Sequence, residues 1–162
     1  MGFQRQINTK QPYGVPGEMH DSSVKRVTAY DCATAVKVGN PAYRVSTGAS
    51  QGKVTDTFAT GTAAEYVGVI VNPKEYVIES GSLEATLVIP KQSIAQVASI
   101  GHINVVVCES VKAGDSAYYK AASGWCKTAP TAGNTQDGSV LGKFICDGAT
   151  GEVVTVAVNV NA

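Results

Sequence analysis

The sequence lacks the features that would place it in a membrane or on nucleic acid. It has no apolar run approaching the roughly 20 residues of a membrane span, and its beginning has no hydrophobic stretch of the signal-peptide type. Its 13 basic and 13 acidic residues cancel, and they form no lysine or arginine cluster. Nucleic-acid binding depends on a basic surface, so we expect no nucleic-acid partner. Since a membrane span and a signal peptide are not predicted either, we expect a soluble protein made in the cytoplasm, with no membrane partner.

Residues that bind metals are also scarce. The four cysteines, Cys32, Cys108, Cys126 and Cys146, contain no Cys-x-x-Cys pair, and the chain has only two histidines. This spacing disfavours a zinc ribbon and a thioredoxin-like redox site. We therefore predict reduced cysteines that pack as small hydrophobic side chains, with no metal and no other cofactor.

The composition favours an all-β protein. The chain has 17 glycines and only 16% charged residues, and apolar residues alternate with polar ones in several short runs. Predicted strands cover 23–30, 65–71, 74–80, 83–89, 102–109, 139–146 and 152–160. The stretch 90–99 fits a short helix and a strand equally well. Regularly spaced strands with glycine-rich and proline-rich turns predict a β-barrel or a sandwich.

A short internal repeat indicates a duplicated hairpin. VKVGNPAY (36–43) and VKAGDSAY (111–118) share five of eight residues, and similarity resumes at 66–71 and 140–145. In each copy Gly39 or Gly114 suits a turn, and Tyr43 or Tyr118 lies where a new strand begins. We interpret these four residues as structural.

The repeat also bears on a candidate nucleophile, Ser116, which lies in the tripeptide Gly-Asp-Ser. The other copy has Pro41 at that position, so the motif does not require the hydroxyl. A serine nucleophile would also need a base, and only His20 and His102 are available. We therefore predict no catalytic residue. An enzyme is one of three classes of function that we consider, and the other two are described below.

The first 22 residues differ from the rest. Glutamine, asparagine, proline and glycine are frequent there, so a helix or central strand is not expected. We predict an extended N-terminal arm over 1–22 and a single β domain over 23–162. Phe3, Arg5, Tyr13 and Pro16 are the large or rigid groups of the arm, and we predict that they contact a partner.

Four segments together resemble a known family. QPYGVPGEM (11–19), VKRVTAYDCATAVKVGNPAY (24–43), GHINVVVCESVKAGDSAYYKAASG (101–124) and GSVLGKFICDGATGEVVTVAVNV (138–160) are similar to the capsid cement, or head decoration, proteins of tailed bacteriophages. The resemblance implies a non-enzymatic protein of the virion, a β-barrel or jelly-roll-like sandwich, assembled in the host cytoplasm. It would bind the outside of the mature head and bridge neighbouring major capsid subunits.

Two further expectations remain open. Exposed edge strands predict self-association as dimers or trimers. The alternative function is a carbohydrate- or receptor-binding β module of a virion or tail, which would require an exposed aromatic patch, and Tyr118, Tyr119 and Trp125 are the residues from which it could form.

Overall fold

The computed structural model describes residues 14–20, 24–57, 64–72, 87–121, 123–130 and 139–160, and every regular element within these ranges is a β-strand. In chain order the strands are β1 (Arg26–Asp31), β2 (Val36–Lys37), β3 (Pro41–Val45), β4 (Val54–Thr55), β5 (Ala64–Val71), β6 (Val88–Ile89), β7 (Ile94–Val106), β8 (Ser116–Lys120), β9 (Gly124–Cys126), β10 (Gly142–Phe144) and β11 (Val153–Asn159). The predicted all-β fold is confirmed. Nowhere in the described ranges is there a helix of the length and apolarity needed to span a membrane.

Nine of the strands form one antiparallel sheet in the order β4-β3-β5-β7-β11-β10-β8-β9, with β1 paired to β7 beside this path, and β2 pairs with β6 separately. The stretch that fitted a helix or a strand enters β7, the longest strand, at Ile94. Extended backbone is favoured there because β7 has neighbours on both sides. Its first part pairs with β1 and β5, and its second part pairs with β11. The predicted strand over 74–80 and most of the one over 83–89 lie outside the described residues.

The duplication predicted for one hairpin extends through the whole domain. The first half (26–100) consists of β1 to β6 and the beginning of β7, and the second half (101–159) consists of the rest of β7 and β8 to β11. Each half contains a hairpin, β3–β4 or β8–β9, that pairs onto β5 or β10. The strand that ends the first half therefore continues directly as the strand that begins the second.

Individual backbone hydrogen bonds repeat between the halves. In the first half Ala33 N donates to Val54 O over 2.8 Å, and in the second half Cys108 N donates to Trp125 O over the same distance. At the two glycine turns, Gly39 N donates to Ile70 O over 2.8 Å and Gly114 N donates to Phe144 O over 2.7 Å. Each hairpin also contacts the chain just after the first strand of its half. Val54 of β4 forms an isolated bridge with Cys32, and Trp125 of β9 forms one with Val107. Among the described residues, each half thus returns to its first strand through an isolated bridge rather than a continuous ladder.

Two hydrophobic clusters fill the halves. The first contains Cys32, Val36, Val38, Ala42, Val54, Val67, Ile70, Ile89, Ala95 and Val97. The second contains mainly second-half residues, among them Ile103, Val105, Trp125, Phe144 and Val156, and it also takes in Val69 and Val71 from β5. Strand β5 therefore belongs to the packing of both halves and joins them.

Candidate functional site

The described part of the arm, residues 14–20, is fastened to the second part of β7. Gly17 N donates to Asn104 O over 2.7 Å, Asn104 N donates to Glu18 O over 2.9 Å, and His20 N donates to His102 O over 2.8 Å. Asn104 is buried, and its side-chain oxygen accepts a hydrogen bond from Thr155 Oγ1 at 2.9 Å. The arm segment 14–20 is therefore held as an added antiparallel strand on the domain's own sheet.

The same segment also contacts the first half at the Gly39 turn. Gly39 has φ +85°, and a Cβ placed on it would lie 3.3 Å from Pro16 Cβ. Pro16 is half-buried beside this turn, whereas Val15 is 48% exposed. Of the four residues predicted to contact a partner, only Pro16 is described, and Phe3, Arg5 and Tyr13 lie outside the described residues.

A cleft of about 560 Å³ lies where the two halves meet, and we call it the interhalf cleft. Pro16, Lys37, Val88, Val106 and Trp125 are among the residues that line it. Val88 is 48% exposed and Val106 is 42% exposed, so the rim presents apolar surface to solvent. Trp125 fixes the cleft wall, because its Nε1 donates to Gly39 O at 2.7 Å across the two halves.

The second copy of the repeat turn has different surroundings. Gly114 has φ +94°, and no atom lies within 4 Å of the position of an added Cβ. Tyr43 is buried in β3, whereas its counterpart Tyr118 in β8 is half-buried. Gly39 therefore lines the interhalf cleft, whereas its counterpart Gly114 faces open space.

The aromatic rings that could have formed a sugar-binding patch are mostly internal. Trp125 is 1% exposed and Tyr119 is 4% exposed, and their rings pack edge to face at 5.7 Å. Burial also raises the pKa of Tyr119. Of the three residues considered for glycan binding, only Tyr118 reaches the surface, and a single half-buried ring is not an aromatic platform.

The candidate serine and histidines do not meet. Ser116 pairs with Lys143 of β10, Lys143 with Ala157 of β11, and Ala157 with His102 of β7. Three strand spacings separate Ser116 from His102, which is about 14 Å along the sheet. What the structure does bring together is the two histidines, since His20 and His102 lie side by side in the arm pairing, a contact that sequence spacing could not reveal.

The cysteines are packing residues. All four are free thiols; Cys32 and Cys126 are buried, and Cys108 and Cys146 are half-buried. Burial raises the pKa of Cys32, and it raises the pKa of Cys126 to about 11. Within the described ranges, no three side chains of histidine, cysteine, aspartate or glutamate are grouped as a metal ion would require.

Comparisons with known proteins agree with this arrangement. Residues 3–159 match the model of the family described as structural cement protein (E217 gp24/Pam3 gp6). No curated protein sequence matches the chain. A chain of the capsid of Myoviridae phage XM1 has the same fold, with a TM-score of 0.65, 16% identity and 98% of each chain covered. The N base of the head fibre gp8.5 of bacteriophage phi29 is a more distant structural match, with a TM-score of 0.47, 15% identity, and 86% of this chain and 100% of the other covered.

The family match spans nearly the whole sequence, including both halves of the duplicated domain and most of the arm. The role that the sequence resemblance implied is that of a protein associated with the capsid, and the family supports the same role. This chain belongs to the structural cement proteins of bacteriophage capsids.

Proposed function

We propose that this protein binds the outer surface of the mature phage head and bridges neighbouring major capsid subunits. The family match supports attachment to a capsid, and the anchored arm segment supports bridging. Cement action needs at least two contacts per molecule that reach different subunits, because a single contact would decorate the shell without linking it.

The observation that carries the proposal is the fixed position of Gly14 to His20 on the sheet. Residues 1–13 precede this anchor, and a 13-residue segment can reach about 45 Å when fully extended. The domain therefore offers one contact surface, with the apolar rim of the interhalf cleft as the best candidate, and the arm supplies a second contact at a distance. Phe3, Arg5 and Tyr13 are the arm groups that we assign to the capsid.

A truncation lacking residues 1–13 tests the arm. We expect it to remain folded, because the hydrogen bonds that fasten the arm to β7 begin at Gly17. Its affinity for expanded heads that lack the protein should fall at least about tenfold, since one of two linked contacts is lost. Co-sedimentation with such heads measures the affinity, and circular dichroism checks the fold.

A matched pair of full-length variants assigns the contact to particular side chains. In one variant Phe3, Arg5 and Tyr13 are changed to alanine, and in the other Gln4, Gln6 and Asn8 are changed to alanine. The first should bind as weakly as the truncation, and the second should bind like the unmodified chain. Full binding by the truncated protein would show that the arm has no part in attachment.

We also propose that the protein self-associates, as dimers or trimers. Lattice contacts repeat at every symmetry-related position, so association between neighbouring copies would add to the number of links across the shell. Assembly in the host cytoplasm follows from the proposed role.

A further inference from the structure

The two halves differ in what covers their first strand. In the second half the first strand is the later part of β7, and the arm segment 14–20 pairs with its outer edge through Asn104, whose N–H and C=O both bond to the arm. In the first half the corresponding strand is β1, since Val27 pairs with Ala98 as His102 pairs with Ala157. The residue that corresponds to Asn104 is Ala29.

The outer edge of β1 meets β4 at its C-terminal end, where Cys32 bridges to Val54 and Ala33 N donates to Val54 O, but no described strand covers this edge from Arg26 to Tyr30. The ladder partner of β1 within the described ranges is β7, and five of its six residues are exposed while Tyr30 is half-buried. Apolar side chains lie at this edge and near it: Val24 is 81% exposed, Val27 is 40% exposed and Ile94 is 54% exposed. An open strand with exposed apolar side chains is a template for pairing with another chain.

The alternation of the antiparallel ladder shows which backbone groups are available. Cys32 N donates to Ser93 O at 2.9 Å, so Cys32 and the residues two and four before it direct their backbone groups toward β7. Val27, Ala29 and Asp31 therefore direct theirs outward, and those of Val27 and Ala29 lie clear of the bridge that joins Cys32 to Val54 of β4. Asn104 uses the same outward direction to bind the arm in the second half, so this edge has the geometry to accept an antiparallel strand.

We propose that β1 pairs with β1 of a second copy of this chain, antiparallel and about a two-fold axis at Thr28. This inference rests on the self-association proposed above and names the strand responsible. Pairing through outward-directed groups then places Val27 opposite Ala29 of the second copy, twice by symmetry, and Thr28 opposite itself. The two sheets become continuous across the axis.

The side chains of β1 suit this register. Lys25 of each copy comes opposite Asp31 of the other, so two opposite-charge pairs flank the centre, and a threonine pair lies at the centre. Moving the axis by one residue to Ala29 would retain the backbone bonds but place Val27 opposite Asp31. The self-complementary charges favour a second copy as the occupant of this edge over an unrelated strand.

Cysteine cross-linking tests the axis directly. In the proposed ladder Thr28 and Thr28 of the second copy form a non-hydrogen-bonded antiparallel pair. The Cα atoms of such a pair are about 4.5 Å apart, a distance that a disulfide can span. Thr28→Cys should therefore give a disulfide-linked dimer under mild oxidation, both in solution and on decorated heads. Ala35→Cys, at an exposed position beyond β1, is the matched control and should cross-link no more than the unmodified chain with its four native cysteines.

A charged residue at the edge provides an independent test. Ala29→Lys places a lysine at the centre of the pairing and should convert the dimer to a monomer in analytical ultracentrifugation, with unchanged circular dichroism. Gln51→Lys, in the exposed turn between β3 and β4, adds the same charge and should leave the dimer intact.

The outcomes separate this inference from the cement role. A protein that decorates heads but stays monomeric, with no Thr28→Cys cross-link in solution or on heads, would overturn the β1 pairing and leave the cement role standing. Dimers that persist in Ala29→Lys would overturn it as well, because another surface would hold them. Loss of head binding by Ala29→Lys when the unmodified chain is a monomer would identify a capsid strand as the occupant instead.

Discussion

Two glycines set how closely the strands of each half approach one another. A Cβ on Gly68 would lie 2.2 Å from Ala98 O, and a Cβ on Gly142 would lie 2.5 Å from Ala157 O. No side chain fits at either distance, so β5 and β10 need glycine where they cross the neighbouring backbone. The same contact occurs once in each half, which explains why these glycines occupy corresponding places in the repeat.

Gly68→Ala should therefore destabilise the protein by about 3 kcal/mol or more, because the backbone of β7 would have to shift. Gly48→Ala is the control: Gly48 also has positive φ, at +83°, but no atom lies near an added Cβ. That change should cost only about 1 to 2 kcal/mol from backbone strain. Urea denaturation measures both values, and equal losses would refute the steric explanation.

Buried ionisable groups make the fold sensitive to alkaline conditions. The thiol of Cys126 has its pKa raised by burial to about 11, from about 9 in an exposed chain, and its Sγ donates to Thr128 O at 3.3 Å. The unfolded chain therefore loses this proton at lower pH than the folded one does. The stability contributed by the protonated thiol is complete below about pH 9 and is lost as the pH rises toward 11.

We expect the free energy of unfolding to decrease between pH 9 and 11, and Cys126→Val should make the decrease shallower. The decrease should not vanish, because burial also raises the pKa of Tyr66 and Tyr119. Urea titrations at pH 8, 9.5 and 11 give the slopes. Identical slopes for the two proteins would show that Cys126 does not titrate differently in the folded and unfolded chains.

At the scale of elements, the contact between hairpin β8–β9 and the Gly39 turn joins the halves. Trp125 is buried and donates from Nε1 to Gly39 O. Trp125→Phe should destabilise the protein by about 1 to 3 kcal/mol, because a buried carbonyl loses its donor. Circular dichroism must follow the unfolding, since the chain has no other tryptophan. Unchanged stability would mean that water or rearrangement replaces the bond.

The elements were predictable where their side chains alternate. The predicted strands at 23–30, 65–71 and 152–160 correspond closely to β1, β5 and β11, where β-branched and aromatic residues recur at short spacing. The segment predicted as a strand at 139–146 is shorter, with β10 covering only Gly142–Phe144. The ladders with β8 and β11 cover only those residues, with one further hydrogen bond at each end, from Leu141 N to Ala117 O and from Ile145 N to Thr155 O. Sequence periodicity carries no information about where a neighbouring strand ends.

The extent of the duplication was hidden for a related reason. Corresponding residues in β1 and the later part of β7 share backbone geometry but not chemistry: Thr28 is exposed where Ile103 is buried, and Ala29 stands where Asn104 does. The arm segment 14–20 covers one of these strands and not the other, so different side chains suit them. Sequence identity is concentrated in the segments 36–43 and 111–118 around the two glycine turns, and it recurs where Gly68 and Gly142 approach a neighbouring strand.

At the scale of the whole molecule, the duplication gives a cement protein two unlike surfaces on one rigid frame. Within the described residues, the arm segment pairs with β7 in the second half, whereas β1 from Arg26 to Tyr30 pairs only with β7, and the interhalf cleft lies between the halves. The part of the arm that is described is anchored rather than free, so a partner that binds residues 1–13 engages a segment whose exit point is already fixed. Such pre-organisation reduces the entropy lost on binding.

The most direct test of the central claim is co-sedimentation of the purified protein with expanded heads that lack it, followed by imaging of the decorated particles. The cement role predicts saturable binding at regular lattice positions, with density for each molecule in contact with more than one major capsid subunit. Failure to bind expanded heads, or binding that never saturates and occupies no fixed lattice position, would contradict it.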